Sequence, residues 1–215
     1  MKYYLSSYRI GKYGTKLAEL STGGPLAYIP NALDHIPVQE LTATRERNVT
    51  DLQELGVSVE LLDLRDYFSH PGRLSRELAQ FTGVWIAGGN TFVLRQAMRL
   101  SGFDEAIAGL RSTPFLYSGY SAGICVLAPH LYALQIVDDP NQFPYPEQSE
   151  VIWAGLNILN HIILPHYKSD HPESAGIDKE VEYCQANNIA YRTLRDGEVL
   201  FGENIEALNR ETEMD

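Results

Sequence analysis

The chain has 215 residues, 17 Lys and Arg against 28 Asp and Glu for a formal charge of −11, and 44% hydrophobic residues. At about 150 residues per domain this length suits a single domain over residues 1–215, and ordinary Gly, Pro and aromatic content excludes collagen, disorder and coiled coil. The acidic balance, with no basic run beyond Arg45-Glu46-Arg47, excludes a nucleic-acid surface, which needs clustered cations to displace counterions.

The segment Met1 to Arg9 has no apolar stretch of the kind a signal peptide carries, and nowhere do about 18 apolar residues run uninterrupted. The expectation is a cytoplasmic protein without a membrane partner. Cys125 and Cys184 lie far apart without Cys-x-x-Cys spacing, so both are expected to be reduced core residues.

Short β-branched or aromatic runs alternate with segments of helical period, which predicts an α/β fold with a mostly parallel sheet. In chain order the strands are expected at 2–7, 26–29, 58–62, 83–87, 115–117, 162–164, 189–193 and 199–201. Helices are expected at 38–55, 74–81, 91–100, 103–110 and 175–187, the first closed by Gly56 as a left-handed cap. Residues 138–147 hold three prolines and no period, and read as a long loop. In open α/β sheets ligands bind beyond the carboxyl ends of the strands, so the residues following each strand carry the functional argument.

After the strand at 115–117 comes Gly119-Tyr120-Ser121-Ala122-Gly123, the Gly-x-Ser-x-Gly pattern of a nucleophile elbow. A tight strand-to-helix turn presents the Ser121 hydroxyl at the sheet edge. The Ala122 N–H then sits at a helix start, where free donors favour a developing oxyanion. The strand at 83–87 runs into Gly88-Gly89-Asn90-Thr91, where backbone without Cβ atoms can approach a ligand and Asn90 or Thr91 can cap the next helix. Gly89 N–H is the expected second oxyanion donor, with Gly88, Asn90 and Thr91 lining the substrate.

A serine hydroxyl needs a base. Of six histidines, His166 follows the strand at 162–164 and Pro165, and so emerges at a strand's carboxyl end. His161 precedes that strand, and His171 reads as part of a helix start at Ser169-Asp170-His171-Pro172. Three carboxylates compete to orient the imidazole: Asp196, which follows the strand at 189–193, then Glu173 and Asp138. Asp196-Gly197 also fits a hairpin turn. No metal or other cofactor is expected, because His166, Asp170 and His171 lack the spacing and a third strong ligand.

Together, Gly88-Gly89-Asn90-Thr91, Gly119-Tyr120-Ser121-Ala122-Gly123 and Leu164-Pro165-His166-Tyr167, with Ile29-Pro30-Asn31-Ala32 upstream, resemble the dipeptidase E and cyanophycinase family of serine peptidases. The resemblance covers essentially the whole chain. It implies a three-layer, flavodoxin-like sandwich similar to class I glutamine amidotransferases, with serine in place of cysteine at the elbow. It also implies Ser121 as nucleophile, His166 as base, and the Gly89 and Ala122 amides as the oxyanion hole. Family members carry an acid near a Leu-x-Glu-Gly segment, which Leu194-Arg195-Asp196-Gly197 matches with Asp for Glu; an acid upstream of the histidine, here Asp138, is the alternative. Dipeptidase E proper cleaves dipeptides with N-terminal aspartate and carries basic residues after its histidine. Here Lys168 to Gly176 is mostly acidic or neutral, leaving Arg95 and Lys168 as candidate carboxylate partners.

The expectation is a serine exopeptidase that hydrolyses a small peptide through an acyl-enzyme. The alternatives are an α/β serine esterase, whose triad runs Ser, acid, His along the chain, and a non-catalytic relative that binds a peptide or metabolite in the same cleft.

Overall fold

Apolar runs without polar alternation make the middle of the sheet. Leu26–Ile29 (β2) and Gly83–Ile86 (β4) are buried at every position, as strands covered on both faces must be. The computed structural model describes residues 1–210. Around these two strands lie Lys2–Ser6 (β1), Val59–Leu61 (β3), Leu116–Tyr120 (β5) and Val199–Gly202 (β8). The sheet order is β3-β2-β4-β5-β1-β8, parallel throughout except for β8, which runs antiparallel to β1 at the edge.

Alternate residues of these strands feed two cores. Tyr4, Leu26, Tyr28 and Trp85 pack with Leu17 and Leu52 from helices Gly14–Leu20 (α1) and Val38–Glu54 (α2). Tyr3, Leu5, Ile29 and Ile86 face the other side, against helices Leu74–Leu78 (α3), Thr91–Ser101 (α4) and Phe103–Leu110 (α5). The result is a three-layer α/β sandwich with a mostly parallel sheet. Gly56, at φ +77°, closes α2, with its own N–H on Gln53 O and the Val57 N–H on Leu52 O.

Three features depart from the expected pattern. Ile162–Leu164 (β6) and Tyr191–Thr193 (β7) do not join the main sheet; they pair with each other in parallel. A third apolar cluster lies beneath them, in which Ile162 and Leu164 join Phe92, Cys125, Leu131 and Cys184 of the helix Ser174–Ala186 (α7). β5 extends to Tyr120, past the expected end at Tyr117, because Ser118 and Gly119 are paired on both sides, with Tyr4 and Leu5 of β1 and with Trp85 and Ile86 of β4. Helices α1 and Ile205–Arg210 (α8) were not foreseen, both being too short for a 3.6-residue period to repeat. Among the described residues no helix is long and apolar enough to cross a membrane.

Candidate active site

Ser121 leaves β5 at φ +49° and ψ −119°, outside the regions open to most side chains, and opens the short helix Ala122–Cys125 (α6). Such a backbone costs about 1–3 kcal/mol and persists only where its surroundings fix it. Its N–H donates to Ser6 O at the end of β1 at 3.3 Å, and its carbonyl accepts from Ile124 N–H at 2.9 Å and Cys125 N–H at 3.0 Å. The flanking glycines are required by contact with β4: a Cβ at Gly119 would lie 2.6 Å from Ile86 O, and one at Gly123 2.5 Å from the same atom. Behind the turn, buried Asn48 donates to the hydroxyls of Tyr28 at 3.1 Å and Tyr120 at 3.0 Å.

Beside the elbow runs the turn after β4. Gly89 has φ +142°, and a Cβ there would sit 2.4 Å from Ala32 O, so only glycine fits. The Asn90 N–H donates to that same Ala32 carbonyl at 2.9 Å. Ala32 is held in turn by its neighbour Asn31, whose side-chain amide donates to Asp34 at 2.7 Å and Asp63 at 3.0 Å and whose side-chain oxygen accepts from Leu64 N–H. Among the described residues the N–H groups of Gly89 and Ala122 have no protein acceptor. Gly88 packs on the elbow itself, where a Cβ would meet Tyr120 at 2.6 Å and Ser121 Cβ at 3.0 Å. Asn90 proves to be a cap: its side-chain oxygen accepts from Phe92 and Val93 N–H, and its amide donates to Asp139 O. Thr91 reaches the cavity that holds Ser121.

His166, at φ +60° and almost fully buried, follows β6. Its N–H donates to Ser7 Oγ at 2.9 Å, and its Nδ1 lies 2.7 Å from Asp196 Oδ1. The Ser7 hydroxyl in turn donates to Asp196 Oδ1 at 3.0 Å, and the Asp196 N–H donates to Ser169 Oγ at 2.8 Å. The network assigns the Nδ1 proton to the bond with Asp196, which leaves the lone pair on Nε2. Asp196-Gly197 is not a hairpin turn: β7 and β8 lie in different sheets, and the connection between them carries the carboxylate to the imidazole. Burial, and then the charge of neighbouring His171, lower the His166 pKa from its ordinary value, against the opposing pull of Asp196. The ring is therefore neutral at pH 7. No hydrogen bond joins His166 to Ser121 in this structure, and Nε2 faces Glu173 Oε2 at 3.9 Å.

The other candidates sort by contact. Asp138 does not touch His166; it accepts from the Thr91 N–H at 2.8 Å and lines the Ser121 cavity with Glu173. Arg95 is not a substrate cation: it is buried and held by Asp104 at 2.9 and 2.6 Å and by Ala154 O. Lys168 is exposed, its ammonium over the Tyr167 ring. Cys125 is buried, donates to Ile163 O and has a thiol pKa pushed up by burial, so it remains a thiol beside the serine.

Ser7, Tyr8 and Glu180 carry no role in the sequence reading, and His171 figures there only as part of a helix start and as a rejected metal ligand. Ser7 and Tyr8 carry a signal, since they follow strand β1, the parallel partner of β5, at the same sheet edge as the elbow. Tyr8 sets its ring edge-on to His166, His171 and Tyr120. His166, His171 and Glu173 each offer a ligand atom within 4.8 Å of the others, a set of the size a metal ion needs. Their two imidazoles are parallel, however, so their in-plane lone pairs would converge on one ion only after a ring turned. A larger groove of about 950 Å³ lies at the connection from β7 to β8, lined by Tyr13, His161 and Tyr191, and contains none of Ser121, His166 or Asp196.

A family model for peptidase family S51 matches residues 13–208. The chain belongs to peptidase family S51. An uncharacterized peptidase of Listeria monocytogenes is 29% identical over 147 residues, 68% of this chain and 67% of that protein. Peptidase E of Streptomyces coelicolor is 28% identical over 182 residues, 83% of this chain and 68% of its own length. Two solved structures share the fold: a candidate Peptidase E protein from Listeria monocytogenes, with TM-score 0.70, 22% identity and 94% and 97% of the two chains covered, and a peptidase from an acI-B1 Actinobacterium, with TM-score 0.67, 15% identity and 94% and 82% covered. Membership of family S51 makes this chain a peptidase of the serine class, in a flavodoxin-like sandwich of peptidase E proteins.

Proposed function

We propose that this S51 peptidase is a cytoplasmic serine exopeptidase acting on small peptides, with Ser121 as nucleophile, His166 as general base and Asp196 as the orienting acid. The observation that carries the reading is the 2.7 Å contact between His166 Nδ1 and Asp196, set at the sheet edge where the Ser121 elbow emerges. His166 Nε2 takes the Ser121 proton as Oγ attacks the scissile carbonyl; the amides of Ala122 and Gly89 stabilise the tetrahedral oxyanion. The protonated imidazole then gives its proton to the leaving amine, and water releases the acyl group by the same steps in reverse order. The hydrogen bond missing between Ser121 and His166 forms as substrate displaces the His166 ring from Glu173, in keeping with the loose catalytic contacts of empty sites.

With Asp196 on His166 the chain order is Ser, His, acid. This order is unlike that of α/β-hydrolase esterases. The test is labelling by a fluorophosphonate together with dipeptide turnover. Labelling confined to Ser121, and a loss of about 10⁴–10⁶ in kcat for Ser121→Ala, are expected. An unlabelled Ser121, or a Ser121→Ala protein as active as the parent, overturns the reading.

A further inference from the structure

Ser7, the first residue beyond β1, is fully buried. Its N–H donates to Glu198 O at 3.1 Å, just before β8. Its Oγ accepts from the His166 N–H at 2.9 Å and lies 3.0 Å from Asp196 Oδ1. Leu194 O is also within reach of Oγ, at 3.3 Å, but already accepts the Tyr167 N–H at 3.0 Å. A hydroxyl has one proton and a carboxylate is the stronger acceptor, so that proton belongs to Asp196. The residue before it, Ser6, accepts the Ser121 N–H at its carbonyl. Two neighbouring residues at the end of β1 thus hold the nucleophile, the base and the acid. Few other bonds can set their spacing, because β6 and β7, which carry His166 and Asp196 at their ends, pair with no strand of the main sheet. The His166 backbone, at φ +60°, also persists only where its surroundings fix it, and its N–H bond to Ser7 is one such constraint.

We propose that Ser7 is a positioning residue of this site, which locks the His166–Asp196 pair to the sheet that carries Ser121 and, by donating to the carboxylate, sets the basicity of His166. This role rests on the serine-peptidase reading above and adds a fourth residue to its triad. Asp196 Oδ1 accepts from two donors at once, His166 Nδ1 and Ser7 Oγ. A carboxylate whose charge is shared with a hydroxyl attracts an imidazolium less strongly. The other groups facing the His166 ring are Glu173 near Nε2, His171 stacked on its face and Tyr8 edge-on. Without the Ser7 hydroxyl, Asp196 keeps its own N–H bond to Ser169 Oγ and His166 keeps its stack on His171. The pair therefore stays in contact, but the His166 backbone loses its anchor and the whole carboxylate charge falls on Nδ1.

Ser7→Ala and Ser7→Cys are compared with the parent at a temperature where circular dichroism shows all three folded. Ser7→Ala is expected to lower kcat on a dipeptide by about 10–100-fold, the loss of a hydrogen bond to a charged group, while KM changes by less than about threefold. The acidic limb of kcat/KM is expected to move to higher pH, since the unshared carboxylate holds the imidazolium more firmly. Ser7→Cys, whose thiol is a weaker donor and acceptor, is expected to fall between the two, and it carries the comparison if Ser7→Ala does not fold. A second readout is independent of turnover: the proton resonance of His166 Nδ1–H, observed in Ser121→Ala protein and assigned by its loss in His166→Gln, is expected to shift when Ser7→Ala is added. A parent-like kcat and acidic limb in Ser7→Ala overturns the inference. So does a fall in kcat with the limb unmoved or displaced to lower pH and the resonance unchanged, which is the mark of a side chain that only supports the fold. Should Ser121→Ala remain active, the nucleophile lies elsewhere, and a resonance that answers to Ser7 still upholds its hold on the His166–Asp196 pair.

Discussion

The imidazoles of His166 and His171 lie face to face, with ring centroids 3.7 Å apart and planes 9° apart. Two rings this close disfavour a shared positive charge, and His171 is the second cause, after burial, that lowers the His166 pKa. The acidic limb of kcat/KM is therefore expected below the ordinary histidine value of about 6.5.

Replacing His171 by Phe keeps a ring over His166 and removes the charge. His166 then protonates more readily, so the acidic limb moves to higher pH in His171→Phe. A pH profile that does not move would show that burial alone sets the base.

Asp196 and Glu173 both approach His166, one at Nδ1 and the other at Nε2. Only a carboxylate on Nδ1 leaves Nε2 free to accept the serine proton. Asp196→Asn is expected to lower kcat by up to about 10⁴, whereas Glu173→Gln, which removes no bond to Nδ1, is expected to act mainly on KM. Steady-state kinetics of the two variants with one substrate decide between them; the reverse pattern would make Glu173 the acid.

At Gly89 any side chain meets the Ala32 carbonyl and sits at a φ of +142° that L-residues rarely adopt. Gly89→Ala must therefore move the turn and its N–H. A loss of about 10²–10³ in kcat is expected, with fluorophosphonate labelling of Ser121 slowed but retained. Undiminished turnover would remove Gly89 from the oxyanion hole.

Glu180 is protonated in the fold, with its pKa raised by burial from 4.5 to about 9. A carboxyl raised in this way contributes stability below pH 4.5 that is lost as the pH climbs towards 9, because the unfolded chain releases the proton first. Glu180→Gln carries no such proton. Its Tm is expected to gain on the parent between pH 5 and pH 8, by about 2–4 °C for each kcal/mol relieved. A difference in Tm independent of pH would mean that Glu180 ionises normally.

Periodicity and turn chemistry made most of this protein legible in its sequence. Continuous apolar runs placed β2 and β4, helical spacing placed α2, α4 and α5, and Gly119-x-Ser121-x-Gly123 marked the elbow because both glycines press on Ile86. These are local effects, decided by the residues and their near neighbours. Asp196 could be ranked but not chosen over Glu173 and Asp138, since position along the chain does not say which carboxylate reaches the imidazole.

Only the tertiary structure shows which of the three meets the imidazole. The connection from β7 to β8 passes between two sheets and delivers Asp196 to Nδ1, while Ser7, far away in sequence, supplies the hydroxyl that holds both partners. The same packing turned Arg95 from a candidate substrate cation into a buried partner of Asp104, stacked His171 on His166, and brought Glu180 of α7 to the wall behind Ser121. Sequence periodicity determines which face of an element is buried; it does not say which distant charge that face will meet, and the chemistry of this site depends on those meetings.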